Sequence, residues 1–142
     1  MATVNPPAVV SSACQIPLTN FVWYTGRYNT STGAEGYWQF FDPAIEGGDQ
    51  TSVRIDYTYT DESHRSLDVE NKRTDGHENA GDTIAYALAG ADLTLAVHDE
   101  SESLDYTAGI DVNTDAGYIQ VPNYNNGEKA CWDENQLNAD CL

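Results

Sequence analysis

Apolar and polar residues alternate most regularly in the segment 52–60. Its apolar members occupy every second position: Val53, Ile55, Tyr57 and Tyr59. Side chains of a β-strand point to opposite faces in turn, so this period of two predicts a strand with one face buried.

Similar segments follow along most of the chain. The segment 83–97 alternates on both sides of Ala89-Gly90-Ala91-Asp92 and predicts a β-hairpin. Further extended segments, marked by alternation or by aromatic residues, are 21–24, 37–41, 66–70, 106–112 and 118–124. No stretch combines the apolar spacing of an amphipathic helix with a cap and a stop. The chain is therefore predicted to contain about eight strands and almost no helix.

Strands at this spacing, joined by short turns, predict an all-β fold. The favoured architecture is a single antiparallel β-sandwich, and an up-and-down β-barrel is the alternative. A chain of 142 residues is long enough for one hydrophobic core. Residues 1–18 are small, polar and proline-containing, which predicts an extended N-terminal segment or linker. Residues 19–142 are predicted to form one β domain with a C-terminal tail.

The net charge of the chain argues against some classes of binding partner. The chain has 23 acidic and 6 basic residues, a net charge of -17. Such a surface repels phosphate backbones, which argues against nucleic-acid binding. No apolar run approaches the about 18 residues that a membrane-spanning helix needs. Acidity with only two lysines favours an exported protein, at the cell surface, outside the cell or in the periplasm.

Three cysteines point to the same kind of compartment. Cys131 and Cys141 lie close together in the tail, where a disulfide would close a short loop and restrain the C-terminus. We predict that they pair with each other. Cys14 is then left over, as a free thiol, as an alternative partner of a tail cysteine or as a link between two molecules.

One turn has the composition of a calcium site. Oxygen-bearing side chains occupy alternate positions at Asp111, Asn113 and Asp115, which resembles the start of an EF-hand loop. Ala116 stands where that loop has glycine, and Pro122 stands where it has a bidentate carboxylate. These residues are a candidate metal site, calcium is the one candidate cofactor, and a plain hairpin turn is the alternative.

Aromatic residues suggest a ligand surface. Tyrosine and tryptophan stack on sugar rings while their polar edges form hydrogen bonds, and such residues line carbohydrate-binding sheets. Two groups flank predicted loops and are the candidate ligand-binding residues: Tyr24, Tyr28, Tyr37 and Trp38, and Tyr106, Tyr118 and Tyr124. The alternative is that they form ordinary cross-strand pairs that hold the sheet together.

These features favour a non-enzymatic structural or adhesive β module, which assembles with itself through its N-terminal segment. A carbohydrate- or small-ligand-binding module, assisted by calcium, is the alternative. A small hydrolase ranks third, because the many Asp and Ser residues single out no catalytic set. The three histidines, His64, His77 and His98, lie in or beside polar runs and are expected to be exposed to solvent.

Overall fold

The computed structural model describes residues 14–15, 21–29, 33–42, 45 and 51–141, with the backbone alone at 14–15 and 21–29. It contains eleven strands and one short 3₁₀ helix, Asn125–Gly127. The strands are β1 (Cys14–Gln15), β2 (Phe21–Asn29), β3 (Gly33–Phe41), β4 (Thr51–Asp61), β5 (His64–Asn71), β6 (Thr83–Ala89), β7 (Asp92–Asp99), β8 (Leu104–Asp111), β9 (Gly117–Gln120), β10 (Ala130–Trp132) and β11 (Asn138–Ala139). The all-β prediction is confirmed.

The strands form one antiparallel sheet in chain order. Each strand pairs with the next one along the chain, from β1 at one end of the sheet to β11 at the other. The described strands therefore form an open meander that does not close into a barrel. The β-sandwich, with its second layer, stays a prediction.

The sheet has more strands than the about eight that the alternation predicts, because its short strands carry too few residues to alternate. Strands β1 and β11 have two residues each and β10 has three. Of the predicted N-terminal segment 1–18, only Cys14–Gln15 belongs to the described residues, where it pairs with β2. The C-terminal tail continues the sheet at its other end as β10 and β11.

Register divides the described side chains between two faces of different chemistry. Because directly paired residues share a face, one set of pairs, such as Trp38 with Ile55 and Ile84 with Val97, defines an apolar face. The apolar residues of this face are Trp38, Phe40, Val53, Ile55, Tyr57, Tyr59, Leu67, Val69, Ile84, Tyr86, Leu88, Leu93, Leu95, Val97, Leu104, Tyr106, Ala108, Ile110, Ile119 and Trp132.

The opposite face is polar. It carries charged side chains on β4, β5 and β8, hydroxyl groups, and several alanines on β6 and β7. Arg54 donates two hydrogen bonds on this face, from Nε and Nη2 to the two carboxylate oxygens of Asp56, at 2.7 and 2.8 Å. Thr58 and Ser66, directly paired on β4 and β5, share a hydrogen bond of 2.8 Å.

Burial on the apolar face is shallow. Within the described part of the chain, Leu88 and Ile45 are the only buried apolar side chains, 8% and 1% exposed. Most other members of the face are half-buried, and Ile84 and Leu95 each remain 43% exposed. Among the described residues, strands pack substantially only against their sheet neighbours, so their side chains are covered from the sides and not from above.

Candidate functional site

The structure separates the first predicted aromatic group. Tyr37 and Trp38 are adjacent on β3, so their side chains point to opposite faces of the sheet. Trp38 packs on the apolar face against Tyr57, with ring centroids 4.8 Å apart. Tyr24 pairs through its backbone with Trp38, and Tyr28 with Ala34, while their side chains lie outside the described part.

Tyr37 forms part of a small ionic cluster on the polar face. The Arg54 guanidinium lies over its ring, 4.0 Å from the centroid, in a cation–π contact. The same guanidinium binds Asp56, and its hydrogen bonds hold the pKa of that carboxyl below its usual value. Arg54 therefore occupies one side of the tyrosine ring that a sugar would otherwise reach.

The second aromatic group is also divided. Tyr106 pairs with Val97 on the apolar face, whereas Tyr118 pairs with Gly109 on the polar face. Tyr124 lies beyond β9, next to the 3₁₀ helix, and is 55% exposed. The three tyrosines do not converge on one surface, and their role in ligand binding stays a prediction.

Tyr118 contacts Gly109 and lies close to Lys129. A Cβ atom at Gly109 would overlap Cε1 of the tyrosine ring, so the ring lies directly on the glycine. The ammonium group of Lys129 lies 4.3 Å from the ring centroid. An aromatic ring that covers a cross-strand glycine shields exposed backbone and fixes the register of the two strands.

A groove of about 550 Å³ opens on the polar face beside this ring. Its walls include Asp92 and Asp111, directly paired across β7 and β8, together with Tyr118. The disulfide and Asp140 form its other side. The groove is thus a recess of the described residues that combines an aromatic ring with acidic side chains.

The candidate calcium residues form a tight turn between β8 and β9. Oδ1 of Asp111 accepts hydrogen bonds from the backbone N–H groups of Asn113 and Thr114, at 2.8 and 3.2 Å. The backbone N–H of Asp115 donates to the Asp111 carbonyl at 2.8 Å. One oxygen of the candidate ligand set thus already stabilises the turn, and the described residues hold no group of three His, Cys, Asp or Glu side chains arranged for a metal.

The predicted tail pair, Cys131 and Cys141, lies at bonding distance. Their sulfur atoms are 2.05 Å apart and connect β10 to the residue that follows Asp140. Between them, Oδ1 of Asp133 accepts hydrogen bonds from the backbone N–H groups of Asn135 and Leu137, at 2.9 and 3.0 Å. The tail is therefore a capped and cross-linked hairpin.

Trp132 is not among the site residues predicted from the sequence. Its indole N–H donates to the Asp115 carbonyl at 2.6 Å, which ties β10 to the β8–β9 turn. The ring lies over Gly117, where a Cβ would come within 2.6 Å of Cζ2. On the apolar face the ring borders a recess of about 250 Å³ with Leu93, Leu95 and Ile110.

The same arrangement of an aromatic ring over a glycine occurs twice, on opposite faces of the sheet: Trp132 lies over Gly117 and Tyr118 lies over Gly109. Each aromatic residue pairs across the ladder with the glycine that it covers. The signal available in the sequence was Gly109, an isolated glycine inside the predicted strand 106–112, since such a glycine marks a place where another group approaches closely. Alternation alone could not identify which aromatic residue lies over which glycine.

His98 is the histidine with the most developed environment. In the protonated ring, Nδ1–H donates to Asp105 at 2.7 Å and Nε2–H donates to Glu100 at 3.1 Å. These two hydrogen bonds, the one to Asp105 first, raise the pKa of His98 above its ordinary value of 6.5. Its side chain is 35% exposed, so the pairs are in contact with solvent.

Replacing Asp105 by asparagine is expected to lower the pKa of His98, because it removes the stronger of the two acceptors. A raised folded-state pKa stabilises the fold below the unfolded value of about 6.5, and this contribution is lost as the pH rises through the folded pKa. NMR titration of the imidazole resonances measures the shift. Asp92→Asn, at the other end of β7, is the control; an identical His98 titration in Asp105→Asn and the native chain would contradict the assignment.

Comparisons with protein-family models, with characterised proteins and with solved structures find no match to this chain. In the part of the chain that the structure describes, no helix has both the length and the apolar character needed to cross a membrane.

Proposed function

We propose that this chain is a non-enzymatic structural or adhesive β module that acts outside the cytoplasm and assembles with itself. The observation that carries the proposal is the half-exposed apolar face, which extends from β3 to β10. A continuous apolar surface of this kind is unfavourable in water and marks an interaction surface. The disulfide supports a place in an oxidising compartment.

The β-sandwich belongs to this proposal. The described sheet supplies one layer, and its apolar face needs a second layer about 10 Å away to exclude water. Assembly would complete the sandwich that the alternation of side chains predicts.

The N-terminal segment 1–18 is proposed to take part in assembly at an edge of the sheet. Strand β1 pairs only with Phe21 and Val22, so among the described residues the outer edge of β2 from Trp23 to Asn29 has no strand beside it. Unpaired edges of this kind accept strands from other chains.

Self-association of the full chain tests the proposal. Light scattering coupled to size-exclusion chromatography should report an oligomer, and a chain that begins at residue 19 should associate more weakly. Circular dichroism checks that the shortened chain keeps its β signal. A monomer at all concentrations, unchanged by the deletion, would contradict the proposal.

A second candidate is a carbohydrate- or small-ligand-binding module, with calcium as an aid. The groove beside Tyr118 favours it, because it combines an aromatic ring, two neighbouring carboxylates and a volume of about 550 Å³. Calorimetry with Ca²⁺ and a glycan array test this function, with Asp92→Asn as the variant that weakens binding. The absence of both heat on addition of Ca²⁺ and glycan binding would contradict this second candidate function.

A further inference from the structure

Among the described residues no strand packs over the apolar face, and the composition of the face restricts what could cover it. From β3 to β9 the register gives it two charged residues, Arg65 and Asp99, both toward strand ends. All other members are apolar, aromatic or uncharged, so the middle of the face has no charge with which to select a charged partner. The occupant must be an uncharged apolar surface of similar size.

Resting on the proposed function, we infer that the occupant is the apolar face of a second copy of this chain, packed face to face in a twofold dimer. Two copies present the same apolar surface, and their sheets have the same right-handed twist. Sheets that share this twist pack with their strands about 30° apart, the aligned geometry of β-sandwiches. An interface made of the same surface on both chains closes after two subunits.

The area of the face is sufficient for a stable dimer. Strands β5, β7 and β8 have eight residues each, and seven strands from β3 to β9 lie side by side. At about 3.4 Å per residue and about 4.8 Å per strand, this surface measures roughly 900 Å². Stable interfaces bury about 800 Å² on each partner.

Recesses and protruding side chains occur on the same face, as a self-complementary interface requires. Ile84 and Leu95 are each 43% exposed, and Ile119 is 37% exposed. The recess of about 250 Å³ beside Trp132 is lined by Leu93, Leu95 and Ile110. An aliphatic side chain of a second copy would fill it without desolvating a polar group.

Charge is compatible with this arrangement in spite of the net charge of -17 on each chain. Face-to-face packing places the polar faces on the outside, separated by more than the about 10 Å between packed sheets. At physiological ionic strength, charges further apart than about 8 Å are largely screened. The dimer is therefore expected to tighten as NaCl is raised, since repulsion falls while burial of apolar surface continues to favour association.

The decisive experiment compares Leu95→Lys with Ala96→Lys in the full chain. The residues are neighbours on β7 and both are exposed, but Leu95 lies on the apolar face and Ala96 on the polar face. A charge buried in the interface should raise the dimer dissociation constant by a factor of about 100 or more. The same charge on the polar face should change it by less than about threefold. Sedimentation equilibrium measures both.

A dimer that persists in Leu95→Lys would overturn the inference and leave self-assembly by another surface, including the N-terminal segment, in place. A native chain that stays monomeric would overturn both the inference and the proposed function. If Leu95→Lys fails to fold, the inference is tested instead by dilution of the native chain. Methyl NMR signals of Ile84, Leu95 and Ile119 should then shift with concentration, while those of Ala85 and Ala96 should not; the reverse pattern would also overturn the inference.

Discussion

Replacing Gly33 by alanine is expected to destabilise the protein by about 2–5 kcal/mol. Gly33 begins β3 with a backbone φ of +83°, a conformation that L-residues other than glycine rarely adopt. A Cβ atom here would also overlap the backbone carbonyl oxygen of Tyr59 on β4. Because the obstacle is backbone in a paired strand, it can move only if the β3–β4 ladder is disturbed.

Gly90→Ala separates the cost of the backbone conformation from the cost of the steric overlap. Gly90, in the turn between β6 and β7, has a similar φ of +69°, but a Cβ there would meet nothing within 4 Å. We expect it to cost about 1–2 kcal/mol from conformation alone. Thermal unfolding should show a Tm about 10 °C or more below the native value for Gly33→Ala, and a smaller loss for Gly90→Ala. Equal losses in the two variants would mean that β3 and β4 do not approach as closely as the structure shows.

The extended segments could be predicted from the sequence because half-buried strands leave a direct record in the alternation of residues. Segment 52–60 falls within β4, and the hairpin predicted at 83–97 corresponds to β6 and β7. Strands β10 and β11 left no such record, since two or three residues cannot show a period of two. They are held instead by the disulfide, by the Asp133 turn and by the Trp132 indole.

The candidate site was harder to predict, because closeness in sequence does not place strand residues on one face. Tyr37 and Trp38 are adjacent and therefore point apart. Tyr106 and Tyr118 are separated by a turn whose length sets the register of β8 against β9, and a difference of one residue would place Tyr118 on the same face as Tyr106. The pairing partners, and not the aromatic content, decide which rings can act together.

The sequence predicts a sandwich, whereas the described strands form one sheet with an apolar and a polar face. Alternation predicts that one side of each strand is buried. It predicts this equally well whether the covering layer belongs to the same chain or to another chain. Ile84 and Leu95 are apolar although the described fold leaves them 43% exposed. Their apolar character is consistent with the assembly that we propose.

Removal of the tail disulfide is expected to produce the second large loss of stability. Cys131 and Cys141 are ten positions apart, and closing a loop of that length restricts the unfolded chain by about 3 kcal/mol. The double variant Cys131→Ser, Cys141→Ser should therefore unfold at lower denaturant concentration than the native chain. Cys14→Ser is the matched control, since it removes a thiol from β1 at the opposite end of the sheet and leaves this bridge intact.

The loss of stability should be greatest in one region, because β10 and β11 form the last hairpin at one edge of the sheet. Without the cross-link, two-residue β11 retains only its pairing with β10 and the Asp133 turn. Hydrogen exchange should accelerate first at the backbone N–H groups of this hairpin, while those of β6 and β7, which have partners on both sides, keep their protection. Release of β10 would in turn free Trp132 from Gly117, exposing one border of the apolar face. If exchange instead accelerates uniformly across the sheet, the tail is part of the cooperative core and the disulfide stabilises all of it together.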